Sequence, residues 1–195
     1  MLVSSLRQLS RRNNLSKLYS SKSVIPFSHC SSCGNGVNPN IWPQNCNSCG
    51  NIRYRNPIPV AVALLPFLDE NNVGLLLTKR AITPYIGQYC LPGGHIEYEE
   101  TWQQAVSREV YEETGIHTDP EEYKCINTLS SDSAPRILIF GLSNRIRSFN
   151  KIKDFKPNNE VAEIIIGNDK DNNKLCFPLH QLVYDEFFKN NLFLE

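Results

Sequence analysis

Residues 94–116, which read GHIEYEETWQQAVSREVYEETGI, restrict the fold of this chain more than any other segment. Apolar residues recur there at helical spacing and predict a helix over residues 101–114. Those apolar residues are Trp102, Ala105, Val106 and Val110. Gly115 follows directly, and glycine is the residue that most often ends a helix. The segment therefore predicts a loop, a helix and a second loop.

Three glutamates of this helix predict a metal site. Glu109, Glu112 and Glu113 stand at positions i, i+3 and i+4, so their carboxylates share one helix face. Like charges at that spacing destabilise a helix by roughly several tenths of a kcal/mol per pair. A hard divalent cation, Mg²⁺ or Mn²⁺, would remove this repulsion, and it would also bind water and phosphate oxygens of a substrate. Such an ion polarises phosphorus and prepares a water molecule for attack.

The alternative is that the glutamates form only a solvated acidic face, which would be the better interpretation of an isolated cluster. Here glycine, arginine and aliphatic residues also fall at fixed offsets across 23 residues. Arg108 is expected to pair with Glu100 and so to brace the preceding loop against the helix. The turn at residues 91–94 (LPGG) brings backbone close to the carboxylates, and the carbonyl of Gly94 is a further candidate metal ligand.

Strands are predicted on both sides of the helix. They are residues 60–67 (VAVALLPF), 73–79 (VGLLLTK), 125–129, 136–142 and 161–166. Residues 136–142 are expected to pair with 125–129, and a closing helix is predicted at 179–188. The Pro- and Gly-rich residues 83–94 are interpreted as a loop. Mixed strands with flanking helices indicate an α/β or α+β sandwich for residues 57–195.

The segment before this sandwich, residues 29–56, predicts a zinc ribbon. Its cysteines form two Cys-x2-Cys pairs, Cys30 with Cys33 and Cys46 with Cys49. Two such turns close a tetrahedral four-sulfur site around Zn²⁺, and a closed site has a structural role. The gap of twelve residues between the pairs is slightly shorter than usual. A redox-active pair is the alternative, but it expects a βαβ context that the sequence does not show.

Charge is distributed unevenly along the chain. Residues 1–68 hold seven Lys or Arg and no acid, whereas residues 69–195 hold thirteen bases and twenty acids. Residues 1–28 are basic and Ser-rich, which is typical of an organelle import presequence, and early Arg residues favour a mitochondrion over a plastid. The alternatives are a disordered basic tail, as in a cytoplasmic protein, and a nucleic-acid contact. No apolar run approaches the roughly 18 residues of a membrane-spanning helix, so no membrane passage is predicted.

Residues 94–116 and the preceding Leu-Pro-Gly-Gly resemble the signature of the Nudix hydrolase family at every defining position. The resemblance covers residues 57–195 and implies the Nudix α/β/α sandwich with a mixed sheet. It also implies that Glu109, Glu112 and Glu113 bind the metal ion. With its four-cysteine ribbon, the chain is similar to the zinc-ribbon group of the family. That group includes NADH pyrophosphatases and the organellar FAD and ADP-ribose pyrophosphatases of plants.

The resemblance implies a hydrolase that cuts the pyrophosphate linkage of a nucleoside diphosphate derivative and releases a nucleoside monophosphate. NADH pyrophosphatases carry a Ser-Gln-Pro-Trp-type motif after the signature, whereas residues 130–136 read SSDSAPR here. ADP-ribose and FAD are therefore favoured as substrates over NADH. Many members supply their catalytic base from a downstream loop, which makes Glu160 and Glu163 the candidates, with Glu160 the first choice. Solvated charges are an equally good interpretation of both.

A non-catalytic module is the second hypothesis. A sensor with this fold would bind a nucleotide without cutting it, although such sensors usually have a degraded signature. The basic ribbon, with Arg53, Arg55, Trp42 and Tyr54, also leaves contact with RNA open. A small nucleotide remains the favoured partner, and a homodimer is left open.

Overall fold

The computed structural model describes residues 26–69, 72–148, 154–169 and 175–192. The chain divides into two compact units between Arg55 and Asn56. Most of the predicted presequence and residues 70–71, 149–153, 170–174 and 193–195 lie outside the described residues. Within the described part, no helix is both long enough and apolar enough to cross a membrane.

The first unit contains a short antiparallel hairpin, β1 (Gln44–Asn45) with β2 (Ile52–Arg53). Its interior is built around cysteines: Cys30 and Cys46 are buried, while Cys33 and Cys49 are exposed. Gln44 is also buried, and its side-chain amide donates to the carbonyl oxygens of Phe27 and Asn38. Such a unit buries too little apolar surface to be stable without further links between its segments.

Where the structure describes it, the second unit is a sandwich of two sheets and two α-helices, with a short 3-10 turn at Pro120–Glu122. Its elements are β3 (Ile58–Leu64), β4 (Pro66–Asp69), β5 (Asn72–Arg80), β6 (Tyr89–Cys90), β7 (Gly93–His95), α1 (Trp102–Thr114), β8 (Tyr123–Ser130), β9 (Arg136–Ser143), β10 (Arg147–Ser148), β11 (Val161–Gly167) and α2 (Pro178–Lys189). One sheet has the order β7-β3-β9-β8, and the other has the order β10-β4-β5-β11 with β6 beside β5. The β3–β9 and β4–β10 pairs are parallel and the others are antiparallel. Each sheet therefore contains parallel and antiparallel pairs, which is the predicted mixed type.

Strand β3 lies at the centre of the sandwich because both of its faces are apolar. Ala61 and Ala63 belong to a core that includes residues of α1, whereas Val62 and Leu64 belong to a second core that includes residues of α2. A strand buried on both faces has a continuous apolar sequence rather than an alternating one. The run VAVALL thus identifies the middle layer of the α/β/α arrangement, which confirms the predicted fold class.

Two predictions need correction, and one strand of this unit was not predicted. The run 60–67 is not one strand: it breaks at Leu65 and continues as β4 in the other sheet. Pro66 has no N–H to donate, so it begins a strand more easily than it continues one. The predicted loop at 83–94 contains β6 and β7, which are too short to show periodicity. Strand β10 was not predicted for the same reason.

Candidate functional site

Helix α1, which carries the three glutamates, is held at both ends. The Thr101 hydroxyl accepts a hydrogen bond from the Gln104 amide at 3.2 Å, and the Gln104 side chain accepts from the Thr101 amide at 2.8 Å. At the other end, Gly115 adopts a left-handed conformation (φ 74°) and donates to the Tyr111 carbonyl at 2.7 Å. The carboxylates thus project from the last two turns of a helix with fixed ends.

Arg108 links the preceding loop to the glutamates. It donates to both carboxylate oxygens of Glu100, at 2.7 and 3.2 Å, and to the carbonyl of His95 at 2.9 Å. This ion pair is the predicted brace, and it lowers the pKa of Glu100. Arg108 also donates to Glu109 at 2.8 Å and to Glu112 at 3.2 Å, which the sequence analysis did not predict. One guanidinium therefore offsets the charge of two cluster members.

Glu113 is the most deeply placed of the three glutamates. It is 8% exposed, and its Oε2 atom has no hydrogen-bond partner in the described part of the chain. Burial raises the pKa of Glu113 well above its ordinary value, and the nearby charges of Cys90 and Glu109 raise it further. A hydrogen bond from the Gly93 amide offsets part of this effect. A buried carboxylate without a compensating partner fits a site that a cation would complete.

Glu109 lies between Arg108 and the backbone of Gly94. A Cβ atom at Gly94 would collide with the Glu109 carboxylate, so a side chain at this position would displace that carboxylate. Burial raises the pKa of Glu109, against the effect of Arg108, and the charges of Glu112 and Glu160 contribute to the rise. The structure thus brings the predicted ligands Glu109, Glu113 and Gly94 into one neighbourhood.

The three carboxylates do not form a preorganised metal site. Among the described residues, only the four ribbon cysteines form a group of three or more ligand atoms that all lie within 4.8 Å of one another. Glu112 is turned outward, with 57% of its side chain exposed. The donor set still fits a hard cation such as Mg²⁺, which keeps several waters and binds through few carboxylates.

The segment before β11 carries a residue that the sequence analysis missed. Asn158 donates to the carbonyls of Glu112 and Glu113, at 3.2 and 3.1 Å, and so satisfies the end of α1. Its Oδ1 atom accepts from the amides of Glu160 and Val161, at 2.9 and 2.8 Å. An Asn two residues before Glu160 is the sequence signal for such a turn.

The same segment distinguishes the two candidate bases. Glu160 is exposed, and its charge contributes to the raised pKa of both Glu109 and Glu113, so it lies in their vicinity. Glu163 instead accepts from Lys79 at 3.0 Å and from the Tyr89 hydroxyl at 3.2 Å, and the hydrogen bond with Lys79 lowers its pKa. Glu160 is therefore the glutamate that the fold brings to the cluster.

The ribbon holds a second group of ligand atoms. The sulfur of Cys30 lies 3.7 Å from that of Cys49, and the sulfur of Cys33 lies 3.6 Å from that of Cys46. A tetrahedron with metal–sulfur bonds of about 2.3 Å has sulfur–sulfur edges of about 3.8 Å, so these spacings fit one. Amides of Cys33 and Ser32 lower the pKa of Cys30 to about 6, which favours the thiolate that a metal ion needs.

The family of the chain follows from its sequence. Residues 57–187 match the NUDIX domain, and the chain belongs to this family. An ADP-ribose pyrophosphatase of Methanocaldococcus jannaschii is 42% identical over 64 residues, which are 33% of this chain and 37% of that protein. The NAD-capped RNA hydrolase NudC of Vibrio parahaemolyticus is 32% identical over 96 residues, which are 48% of this chain and 35% of that protein. The match thus spans about a third of these curated relatives.

Solved structures show the same fold. A NUDIX hydrolase from Nitrosomonas europaea superposes with a TM-score of 0.63 at 22% identity, covering 85% of this chain and 92% of that one. A bifunctional NMN adenylyltransferase/ADP ribose pyrophosphatase from Francisella tularensis gives a TM-score of 0.56 at 20% identity, covering 70% of this chain and 42% of that one. Identities this low establish the fold and leave the substrate open.

The raised pKa of Glu113 predicts how its replacement changes stability with pH. The folded protein holds the Glu113 proton more tightly than the unfolded chain does. Protonated Glu113 therefore makes its full contribution to the free energy of unfolding below the ordinary pKa of 4.5. It is lost as the pH rises through the folded-state pKa. Without added divalent cation, we expect Glu113→Gln to have a larger free energy of unfolding than the wild type. This margin between the two proteins should widen as the pH rises from about 4.5.

Urea unfolding of the NUDIX domain at a series of pH values measures this margin. Added Mg²⁺ should reduce it at neutral pH, because only the wild type keeps the carboxylate. A margin that stays constant between pH 4 and 8 would contradict the assignment of a raised pKa to Glu113.

Proposed function

We propose that this protein is a Mg²⁺-dependent hydrolase that cuts the pyrophosphate bond of a nucleoside diphosphate linked to another moiety. The observation that carries the proposal is the intact signature on α1, with Glu113 buried and lacking a partner at one oxygen. Membership of the NUDIX family and the pyrophosphatase and hydrolase names of its relatives support it.

The residues that would hold the cation are Glu109, Glu112, Glu113 and the carbonyl of Gly94. When bound, Mg²⁺ or Mn²⁺ would neutralise phosphate charge and lower the pKa of a bound water. Arg108 keeps Glu109 and Glu112 oriented from one side, while the hydrogen bond from Gly93 holds one side of Glu113. Glu100 acts through Arg108 and touches no substrate, so its role is positioning.

Glu160 is proposed as the base that accepts the proton of the attacking water. It is exposed, free of the ion pair that binds Glu163, and held on the Asn158 turn beside α1. A general base must reach the proton that it removes, and this placement satisfies that condition better than the placement of Glu163 does.

ADP-ribose and FAD are the proposed substrates, ahead of NADH. The name of the archaeal relative supports ADP-ribose, and residues 130–136 lack the motif that the NADH-specific group carries. The products would be a nucleoside monophosphate, AMP for ADP-ribose, and the phosphorylated remainder.

Zn²⁺ is proposed as the ion of the ribbon cysteines, with a structural role. All four ligand atoms belong to the chain, so the tetrahedron has no open position for water or substrate. The spacing of the sulfurs supports this proposal, since it already matches a metal-bound tetrahedron.

Turnover by the full chain tests the proposed reaction. With Mg²⁺ and a panel of ADP-ribose, FAD, NADH, NAD⁺, CoA and dinucleoside polyphosphates, we expect AMP release from at least one compound. Glu113→Gln should lower kcat by about 10³-fold or more, because it removes a charged ligand from the proposed metal site. Tight binding of one compound without any turnover would instead support the nucleotide sensor.

The two downstream glutamates give a matched test of the base. We expect Glu160→Gln to lower kcat by about 10²- to 10⁴-fold, the usual contribution of a general base. Glu163→Gln, three residues away and paired with Lys79, should stay within about threefold of the wild type. Equal losses in the two variants, or none in Glu160→Gln, would remove Glu160 from this role.

Elemental analysis of the purified protein tests the ribbon ion. We expect one zinc per chain in the wild type and a loss of that zinc in Cys46→Ser, because three sulfurs bind it less tightly than four. Cys125→Ser is the control, since Cys125 is an exposed cysteine of the other unit. Zinc that persists in Cys46→Ser at full occupancy would contradict the four-sulfur site.

A further inference from the structure

A second feature at the end of α1 is a cavity with a volume of about 670 Å³. One wall consists of the last turn of α1 and residues 115–117, and the other consists of residues 154–158. We refer to it as the helix-end cavity. Its volume lies within the range of about 300–1,000 Å³ that is typical of sites for small ligands.

The helix-end cavity adjoins the carboxylate cluster. Glu112 belongs to both, since it pairs with Arg108 and also lines the cavity. Asn158 connects the two walls through its hydrogen bonds to the carbonyls of Glu112 and Glu113. The same asparagine fixes the turn that carries Glu160. A substrate with its phosphates at the carboxylates therefore has this cavity next to it.

The cavity lining is aromatic where it meets the helix. The rings of Tyr111 and His117 stack with centroids 4.2 Å apart and planes inclined by 29°. Tyr111 is 48% exposed and His117 is exposed, so the stacked pair presents ring surface to the cavity. Phe155 contributes a third ring from the other wall. Aromatic surfaces of this kind bind planar bases by stacking.

The charges of the lining favour a base over a phosphate at this place. Glu112 and Asp154 are acidic, and the carbonyl end of α1 adds negative potential. Lys156 is the one Lys or Arg among the lining residues. Phosphate groups are thus better placed at the metal site, and a neutral or cationic ring is better placed in the cavity.

We propose that the helix-end cavity binds a heteroaromatic base of the substrate by stacking on the Tyr111–His117 pair. This inference rests on the proposed function, because the substrate that carries the base is the one cut at the carboxylates. The base is either the adenine or the second ring of a two-base substrate such as NAD⁺ or FAD.

Kinetics of Tyr111→Leu and His117→Leu test the inference. We expect KM to rise by about 5- to 100-fold, the range for loss of one stacked base, with kcat changed less than threefold. Tyr111→Phe should keep the wild-type KM, since it keeps the ring. Tyr54→Leu is the matched control, because Tyr54 is an exposed tyrosine of the other unit. A rise for ADP-ribose as well as NAD⁺ and FAD identifies adenine, whereas a rise for NAD⁺ and FAD alone identifies the second ring.

A binding measurement separates this inference from the proposed function. Calorimetric titration of ADP-ribose, NAD⁺ and FAD into Glu113→Gln, with and without Tyr111→Leu, measures binding affinity in the absence of turnover. The difference in affinity reports the contribution of stacking. The added Tyr111→Leu should weaken binding of at least one compound by the same 5- to 100-fold. If KM stays within twofold in both leucine variants and Tyr111→Leu leaves the affinity for all three compounds within twofold, the cavity holds no base. If Tyr111→Leu weakens binding but the wild type turns over none of the compounds, only the proposed hydrolase activity is contradicted.

Discussion

The guanidinium of Arg108 is the group on which the site depends. It joins the loop, through Glu100 and the His95 carbonyl, to two glutamates of α1. Carboxylates at this spacing repel one another on an isolated helix, and one fixed cation between them removes that cost before any metal ion arrives. Arg108 reaches Glu109 and Glu112 but has no hydrogen bond to Glu113, so the buried carboxylate is left for another cation. The same arrangement compensates part of the acidic charge of α1 and leaves Glu113 open to the proposed divalent ion.

Close approach between α1 and β3 makes this arrangement possible. Ala61 and Ala63 on β3 and Ala105 on α1 are small and completely buried, so the helix packs tightly against the middle layer. The adjacent strand β7 pairs with β3, and its glycines carry the backbone up to the glutamates. Larger residues at these positions would separate helix and strand and would move the carboxylates away from the Gly94 carbonyl. The packing of the core thus determines the geometry of the site.

Much of this could be predicted from the sequence, because the strongest signals are local. The apolar stripe of α1, the glycine that ends it, the glutamate spacing and the cysteine pairs are all encoded within short segments. The features that the sequence did not predict depend on contacts between residues that are far apart in the chain. Asn158 has the sequence of a solvated turn, and only the fold shows that it reaches the end of α1, about 45 residues earlier. The outward orientation of Glu112 is likewise a property of packing, since spacing alone places all three carboxylates on one face.

The layout separates chemistry from selectivity along the axis of α1. In the proposed function the carboxylates act through a bound cation on the pyrophosphate that all substrates of such a hydrolase share, so they cannot distinguish one nucleotide derivative from another. Discrimination requires contacts with the groups that differ, and those contacts must lie within reach of the bond that is cut. Residues 154–160 lie beside both proposed sites, because Glu160 is near the carboxylates while Phe155 and Lys156 line the adjoining cavity. If the proposed base site is correct, changes at Phe155 or Lys156 would alter the preferred base, whereas Asn158 has to stay because it hydrogen-bonds the end of α1.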